Sequence, residues 1–196
     1  MTTTKPGPAR RMGPPGSDTW HAMLDGAEAI LRDEGHAALT SRRIAERIEV
    51  KQRLVYYYFH TMEDLVVALF RRLSRRELER LREALHSQHA LRDIWDTNMG
   101  STDARLISEF MALANRIDDL RSEVVHFIEE ARAIEIEAIT AAMKRKSAGG
   151  SIPAPAAAII ASSVALALSR ERQLGVTAGH DAVLAVVDAF LGTLET

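Results

Sequence analysis

The chain contains no cysteine and few aromatic residues. Without cysteine it has no disulfide, no thiolate metal site and no cysteine nucleophile, which is compatible with the reducing cytoplasm where we predict it to act. Phe, Trp and Tyr together make up 5% of the 196 residues. This low content argues against a site for flat cationic compounds, because such sites stack their ligand on aromatic rings.

Long hydrophobic runs and common catalytic motifs are also missing. The longest apolar stretch, from Ile152 to Leu168, is interrupted by prolines and serines and is too short to span a bilayer comfortably, so we predict no membrane association. The chain has no glycine-rich phosphate loop and no G-x-S-x-G elbow. We therefore predict that it is not an enzyme and that it uses no cofactor.

One alternative is a helical-bundle metalloenzyme. Glu123 and His126 have the Glu-x-x-His spacing that di-iron helical bundles use. Such a site needs a second copy of this step and two more glutamates, and the sequence offers no second copy. The metalloenzyme is therefore a much weaker hypothesis than a protein without a metal site, and no metal ligands are predicted.

The charge is small overall but unevenly distributed. The formal net charge is -2, so the whole chain is not a basic nucleic-acid binder. Residues 1–85 contain 15 Lys and Arg against 12 Asp and Glu, whereas residues 86–196 contain 10 against 15. A positive N-terminal part joined to a negative C-terminal part fits a module that faces a polyanion and is carried by a second domain.

Apolar residues recur with helical spacing along almost the whole chain, and no stretch alternates convincingly as a half-buried strand would. We predict an all-α protein of about nine helices. Residues 1–17, rich in proline and glycine, form a predicted flexible arm. Residues 18–62 form a small N-terminal domain whose first helix is capped by Asp18 and ends at Gly35. Residues 63–196 form the larger helical domain.

The window Leu39–Leu65 predicts a helix-turn-helix. Two short helices, Ser41–Ile48 and Gln52–Phe59, are joined by three residues, and Thr40 is a suitable N-cap for the first. Small and apolar residues can close a core between them. The residues left outside that core suit base edges and phosphates, and these are Arg42, Gln52, Arg53, Tyr56 and Tyr57.

This window resembles the DNA-binding domain of the TetR family of repressors. The matching features are Leu39-Thr40, Ile44-Ala45, Val50 in the turn, the run Tyr56-Tyr57-Tyr58-Phe59, and Glu63 with Leu65. The preceding segment Ala27 to Thr40 also resembles the family's first helix and its terminal glycine. The resemblance covers about Met23–Leu69, and the number of helices that follow agrees with the family.

The resemblance implies a set of DNA contacts. Thr40 and Ser41, at a helix N-terminus, would hold a phosphate, and Leu54 would offer an apolar contact to a thymine methyl. We add Lys51, whose side chain could reach the DNA backbone. The complete predicted DNA-binding set is Thr40, Ser41, Arg42, Lys51, Gln52, Arg53, Leu54, Tyr56, Tyr57 and His60.

Three positions depart from the family pattern. Glu49 stands in the turn where glycine is usual, which costs about 1 kcal/mol if the position needs a positive φ. Met62 stands where a phosphate-gripping lysine is common at the start of the fourth helix. Arg53 stands where a small residue or proline is common, so the operator preference is expected to be unusual.

By the same resemblance, the helices from about Met62 to Leu174 would enclose a small-molecule site. Candidate wall residues are Trp95, Asn98, Met99, Phe110, Met111, Phe127 and Ile134, with Asn115 and His126 as possible polar anchors. For any single one of them, an ordinary core position is the competing interpretation.

The last two long helices of the family pair with their symmetry mates, and the resemblance implies the same here. A homodimer also places two helix-turn-helix units one DNA turn apart, matching a palindrome. The predicted dimer contacts are Ile160, Val164, Leu168, Val183, Val187, Phe190 and Leu191.

Together these features predict a repressor that an unidentified small-molecule effector releases from a palindromic double-stranded operator. A second interpretation is a DNA-binding dimer of the same fold without a small-molecule inducer, regulated by a protein or a co-repressor.

Overall fold

In the computed structural model every regular element is helical over the residues that the structure describes, which are 14–100, 104–146 and 152–195. The all-α prediction is confirmed. A short 3-10 turn, His36–Ala38, follows the first helix. The α-helices in these ranges are α1 (Asp18–Glu34), α2 (Ser41–Arg47), α3 (Gln52–Tyr58), α4 (Met62–Leu85), α5 (Ala90–Gly100), α6 (Ala104–Ala114), α7 (Asp118–Arg145), α8 (Ala154–Gln173) and α9 (His180–Glu195).

The chain forms two compact units whose boundary falls between Leu69 and Phe70, inside α4. The sequence prediction placed a domain boundary earlier, between residues 62 and 63. Most of the arm predicted for residues 1–17 lies outside the described residues. Because α4 contributes to both units, its first two turns belong with α1–α3 and its remainder belongs with α5–α9.

Side-chain caps fix where the first helices begin. Ser17, and not Asp18 as predicted, caps α1: its Oγ accepts a hydrogen bond from the Trp20 backbone N–H at 3.3 Å. Asp18 is instead the first helical residue, where its carboxylate faces the positive end of the helix dipole. Thr40 caps α2 as predicted, since its Oγ1 accepts from the Arg43 N–H at 3.1 Å. Gly35 ends α1 with φ +82°.

The core of the first unit comes from the apolar stripe of α1 and the inner faces of α2 and α3. Trp20 stacks on Phe59 with ring centroids 6.0 Å apart. Gly26 allows the end of α2 to approach α1, because a Cβ at this position would lie 3.0 Å from Ile48 Cγ2. The fully buried side chains each contribute about 1.5–3 kcal/mol; among them are Met23, Leu24, Ile30, Leu31, Ile44, Val55 and Leu65.

In the second unit α5, α7 and α8 pack against one another. Small residues allow close approach of these helices, since Ala142, Ala158 and Ala165 are fully buried. An ion pair between Arg92 Nη1 and Asp188 Oδ1 at 2.8 Å joins α5 to α9. Within the described ranges, no helix has both the length and the apolar character needed to cross a membrane.

Candidate nucleic-acid interface and ligand cavity

The turn between α2 and α3 has the geometry that the helix-turn-helix prediction requires. Glu49 adopts φ +56°, the left-handed conformation for which glycine is the usual residue. The Val50 N–H donates to the Ala45 carbonyl at 2.9 Å and closes the turn. Glu49 therefore adopts a strained backbone conformation, and the turn keeps the geometry of a helix-turn-helix.

Helix α3 exposes polar and aromatic side chains next to this turn. Gln52, Arg53, Tyr56 and Tyr57 are exposed on it, and the side chains of Tyr56 and Tyr57 are 41% and 42% accessible. Leu54 is half-buried on the same helix. Lys51, immediately before α3, and His60, shortly after it, are also exposed. These residues together provide the donors, rings and positive charges that DNA contacts use.

Ser41 differs from its exposed neighbours because only 4% of its surface is accessible. Its hydroxyl donates to the Tyr56 phenolic oxygen at 3.0 Å and accepts from Gln52 Nε2 at 2.9 Å. This network joins the start of α2 to two exposed residues of α3. The hydroxyl of Ser41 is thus used within the protein, where the sequence prediction gave it to a phosphate.

The arginines of α2 are held by acidic partners. Arg43 forms a two-pronged ion pair with Glu34 of α1, with Nη2 3.0 Å from Oε1, and this guanidinium lowers the pKa of the Glu34 carboxyl. Arg42 Nε pairs with Glu46 Oε1 at 2.8 Å while its side chain stays largely exposed. In the described part of the chain, Lys51 and Arg53 have no such acidic partner.

The start of α4 is fixed by a reciprocal pair of hydrogen bonds. The Thr61 N–H donates to Asp64 Oδ2, and the Asp64 N–H donates to Thr61 Oγ1, both at 3.0 Å. This is a capping box in which aspartate replaces the usual glutamate. The Thr-x-x-Asp spacing is visible in the sequence and agrees with the predicted start of the fourth helix at Met62.

The second unit contains a cavity of about 270 Å³ between α4, α5, α6, α7 and α8, which we call the α4–α8 cavity. Of the predicted wall residues, it brings together Asn98, Phe110, Met111 and Phe127. The remainder of its wall consists of Phe70, Leu73, Ser74, Glu77, Leu81, Val124, Ile128, Ala131, Arg132, Glu135, Ser162, Ser163, Leu166 and Ser169.

Several predicted wall residues lie elsewhere. Asn115 and His126, the predicted polar anchors, are exposed and are not among the residues that line the α4–α8 cavity. Each residue of a helix is rotated by about 100° from the last, so the position next to Phe127 faces solvent. Ile134 is a buried core residue and Met99 packs against the same core. Trp95 lines a different groove.

The polar end of the cavity is formed by Asn98, Arg132 and Glu135. Glu135 is 5% exposed, and its Oε1 accepts from Asn98 Nδ2 at 3.0 Å. Its Oε2 lies 3.8 Å from Arg132 Nη1. Burial raises the pKa of Glu135, and this effect outweighs the lowering by the Asn98 hydrogen bond and the Arg132 charge.

Sequence reasoning missed Glu135, although a signal was present. Its position continues an apolar stripe on α7 that includes Ala131, Ala138, Ile139 and Ala142 at helical spacing. A charged residue inside such a stripe faces the interior. Glu135 was therefore recognisable as a buried polar residue and a candidate for function.

A second concave surface, of about 240 Å³ and almost wholly apolar, lies between α5, α7, α8 and α9. We call it the α8–α9 groove. Beside Trp95 and Asn98 its wall includes Ile160, Ala161, Val186 and Phe190. Around it several large apolar side chains are exposed: Ile159 (52%), Ile160 (55%), Val183 (36%), Val186 (70%) and Phe190 (39%).

The predicted dimer contacts divide into two groups. Ile160, Val183 and Phe190 are exposed and available to a partner. Leu168 and Leu191 are buried in the core of their own chain, and Val164 and Val187 are half-buried against it. Leu168 and Leu191 were therefore wrongly assigned, because on these helices one side packs within the protomer and only the other is exposed.

The Glu123–His126 pair that suggested a metal site has other partners. Glu123 Oε1 forms an ion pair with Arg71 Nη2 at 2.7 Å, and His126 Nε2 lies 4.0 Å from Glu130 Oε2. Among the residues that the structure describes, no three His, Asp or Glu side chains are grouped as metal ligands.

Comparison with known proteins gives a family match for the first unit. Residues 23–69 match the family model described as bacterial regulatory proteins of the tetR family. This range contains α2, the turn, α3 and most of the first unit. No curated protein matches the sequence.

The fold of the whole chain is that of several solved structures. A Rhodococcus sp. protein described as a TetR-family transcriptional regulator shares 18% identity over 92% of this chain and 100% of its own, with a TM-score of 0.73. A transcriptional regulator from Saccharomonospora viridis in complex with choline shares 14% over 81% and 86%, with a TM-score of 0.73. FadR of Bacillus subtilis in complex with stearoyl-CoA shares 14% over 90% and 98%, with a TM-score of 0.62.

Proposed function

We propose that the protein is a transcriptional repressor that a small molecule releases from a palindromic operator. Two findings support this: residues 23–69 match the TetR family model, and the fold is shared with a solved TetR-family regulator. The observation that supports DNA binding most directly is the exposed row Gln52, Arg53, Tyr56 and Tyr57 on α3, next to a closed helix-turn-helix turn. We further propose that the protein acts in the cytoplasm, where a bacterial operator lies.

The proposed DNA contacts fall into three roles. Gln52 and Arg53 read base edges, since glutamine pairs with adenine and arginine with guanine in the major groove. Thr40, Lys51 and His60 contact phosphates, which position the protein without reading sequence. We reassign Ser41 from phosphate contact to holding Gln52 and Tyr56, because its hydroxyl is buried between them. Arg42, Leu54, Tyr56 and Tyr57 complete the surface.

Selection from random duplex DNA tests this proposal. The purified protein is expected to enrich an inverted repeat and to bind it, by fluorescence anisotropy, with a dissociation constant of about 10⁻⁸–10⁻¹¹ M at physiological salt. Affinity should fall steeply as salt rises, because phosphate contacts release counterions. Weak binding without enrichment of any sequence would contradict the proposal.

We propose a homodimer formed through the exposed apolar side chains of α8 and α9. Ile160 and Val186 are 55% and 70% exposed, and a contiguous apolar patch on a protein surface marks an interaction site. A two-fold axis places two α3 helices on successive turns of one DNA face, which a palindrome matches.

A charge placed on this face tests the dimer. Val186→Glu is expected to give monomers in analytical ultracentrifugation at micromolar concentration and to lose operator binding. Val125→Glu is the matched control, because Val125 is 47% exposed on α7 and lines neither cavity. A dimer that persists in Val186→Glu would place the interface elsewhere.

We propose that the effector binds in the α4–α8 cavity. Helix α4 contributes Phe70 and Leu81 to the cavity wall and Leu65 and Leu69 to the first unit, so one helix belongs to both the sensing and the DNA-reading parts. A ligand that favours the non-binding arrangement of the dimer by about 3 kcal/mol lowers operator affinity more than 100-fold. Anisotropy with and without ligand measures this change, and a rise in affinity would identify a co-repressor.

The bound molecules of the structural neighbours do not settle the effector. Choline, bound to the Saccharomonospora protein, is a cation, whereas stearoyl-CoA, bound to FadR, carries negatively charged phosphates. Ligands of opposite charge therefore occur on this fold, and the class of ligand has to be argued from the residues of this cavity.

A further inference from the structure

The α4–α8 cavity wall contains a pair of opposite charges, Arg132 and Glu135, in which one atom of each residue is buried and lacks a hydrogen-bond partner. Glu135 Oε2 and Arg132 Nη1 are both buried, and neither has a hydrogen-bond partner in the described part of the chain. They are 3.8 Å apart, which is too far for a hydrogen bond between them. One acceptor and one donor are thus held close together on the cavity wall.

Buried polar atoms in folded proteins are almost always hydrogen-bonded, and the exceptions point to a ligand, a water or a functional role. The other oxygen of Glu135 is held by Asn98 at 3.0 Å, so the carboxylate is fixed in place. The cavity is therefore preorganised for a group that can donate to Oε2 and accept from Nη1 at the same time.

The charges around the cavity balance. Glu135 faces Arg132, and the other acidic residue on the wall, Glu77, lies 3.5 Å from Arg80 Nη1. Three serines on the wall donate to backbone carbonyls: Ser74 Oγ to Arg71 O at 3.2 Å, Ser162 Oγ to Ala158 O at 2.9 Å and Ser169 Oγ to Met99 O at 3.1 Å. A ligand with a net charge would bring a charge that no group on the wall is left to compensate.

We propose, building on the effector site proposed above, that the ligand is a neutral amphipathic molecule whose hydroxyl or carboxamide head bridges Arg132 and Glu135. The head accepts from Arg132 Nη1 and donates to Glu135 Oε2. Its apolar body lies against the rings of Phe70, Phe110 and Phe127, of which Phe70 contacts each of the other two edge to face.

The size of the cavity limits the part of the ligand that it encloses. Its volume of about 270 Å³ corresponds to roughly nine water molecules of liquid, so the enclosed part has on the order of ten non-hydrogen atoms. A quaternary ammonium head would meet the positive charge of Arg132, and a carboxylate or phosphate head would meet the negative charge of Glu135. Both charged classes are therefore disfavoured relative to a neutral head.

Four probes with the same eight-carbon chain test the charge of the head: 1-octanol, octanamide, octanoate and octylamine. Isothermal titration calorimetry of the full-length protein at neutral pH measures each affinity. The two neutral probes are expected to bind at least about 10-fold more tightly than the two charged ones. Equal or tighter binding of octanoate or octylamine would overturn the inference.

Two substitutions reverse the preference if the head lies where we place it. Glu135→Gln leaves Arg132 uncompensated and is expected to favour octanoate, whereas Arg132→Met leaves Glu135 uncompensated and is expected to favour octylamine. Glu137→Gln, an exposed glutamate on the same helix, is the control and should leave the order unchanged. If thermal melting shows that one variant is unfolded, the other variant still tests whether the preference among the probes is reversed. Equal weakening of all four probes would indicate a purely structural pair and overturn the inference.

The location and the proposed function are tested separately. Ala131→Phe fills the cavity and is expected to abolish binding of 1-octanol; retained binding would place the site elsewhere. A charged probe that binds in the cavity and changes operator affinity would overturn the neutral-head inference and leave the effector site standing. Failure of all four probes to bind, in a protein that still binds its operator, would contradict both the neutral-head inference and the proposed effector site.

Discussion

The two units of the chain differ in where they place their functional polar groups. In the first unit Arg53 and Tyr57 are exposed on a short helix, and neighbouring arginines are held by acidic partners. In the second unit Glu135 is buried, and its Oε2 and Arg132 Nη1 are buried atoms without a hydrogen-bond partner in the described residues. The first unit therefore presents these polar groups to water, whereas the second shields part of its charged pair from water.

This difference suits two kinds of partner. DNA is a large polyanion whose phosphates and base edges replace water only when the complex forms, so exposed side chains can read it without destabilising the free protein. A small ligand offers few contacts, and it gains affinity where the protein has desolvated and oriented the polar groups beforehand. We expect substitutions in the first unit to change DNA affinity and substitutions in the second to change ligand preference and stability.

Among substitutions in the DNA-reading surface, the largest effect is expected at Arg53. Arg53→Ala removes an exposed side chain that has no acidic partner in the described residues, and we expect operator affinity to fall about 10- to 100-fold, the effect of losing one good base contact. Anisotropy on the selected operator measures it. Lys144→Ala, an exposed lysine in the second unit, is the control. Unchanged affinity in Arg53→Ala would show that α3 does not read the DNA as proposed.

A smaller effect is expected at Ser41, where a substitution tests whether its hydroxyl holds the exposed side chains of Gln52 and Tyr56 in position. Ser41→Ala removes the hydroxyl that bonds Gln52 and Tyr56, and we expect operator affinity to fall about 3- to 10-fold, as for the loss of one or two net hydrogen bonds. Melting temperature should change little, since both partners can bond water. Ser122→Ala, whose hydroxyl bonds only the backbone of its own helix, is the matched control. Equal affinity in the two variants would contradict a positioning role for Ser41.

The same contrast explains what could be predicted from the sequence. The helix-turn-helix depends on signals within a few residues, such as the Thr40 cap, the three-residue turn and the apolar spacing of Ile44 and Val55. Local signals decide local structure, and they indicated α2 and α3 to within a residue. They also predicted which side chains of α3 would be exposed.

The cavity could not be predicted in this way because its wall comes from five helices. Phe110 and Phe127 were predicted as wall residues, but His126 lies outside the cavity. The apolar spacing on α7 indicates that Glu135 faces the interior, but which helices pack around it to form a cavity depends on tertiary packing, and no local motif records this. The partial burial of the predicted dimer residues has the same origin, since Leu168 faces its own core while Ile160 does not.

A still smaller effect is expected in the turn of the first unit. Glu49 occupies the left-handed region at φ +56°, so Glu49→Gly should relieve strain while adding freedom to the unfolded chain. We expect a net stabilisation of about 0.5–1 kcal/mol. Chemical denaturation measures the free energy of unfolding, with Glu46→Gly in the helical conformation of α2 as a control that should destabilise by about 1 kcal/mol. A destabilised Glu49→Gly would mean that the glutamate side chain makes up for its backbone strain.

The last prediction concerns the cost of the buried charge in the second unit. Because burial raises the pKa of Glu135 above its ordinary value, the folded protein binds this proton more tightly than the unfolded chain does. The contribution of Glu135 to stability is therefore most favourable below the ordinary pKa and is lost as the pH rises through the raised pKa. Residue 135 cannot titrate in Glu135→Gln. The melting temperature of this variant, relative to that of the wild type, should therefore increase as the pH rises from 4 to 7. Glu137→Gln, at an exposed position, should show no comparable trend. If the melting temperature of Glu135→Gln instead fell relative to the wild type as the pH rises, the ion pair with Arg132 would outweigh the effect of burial on the stability. Glu135 and Arg132 would then satisfy each other, and the cavity would contain no polar group that lacks a partner.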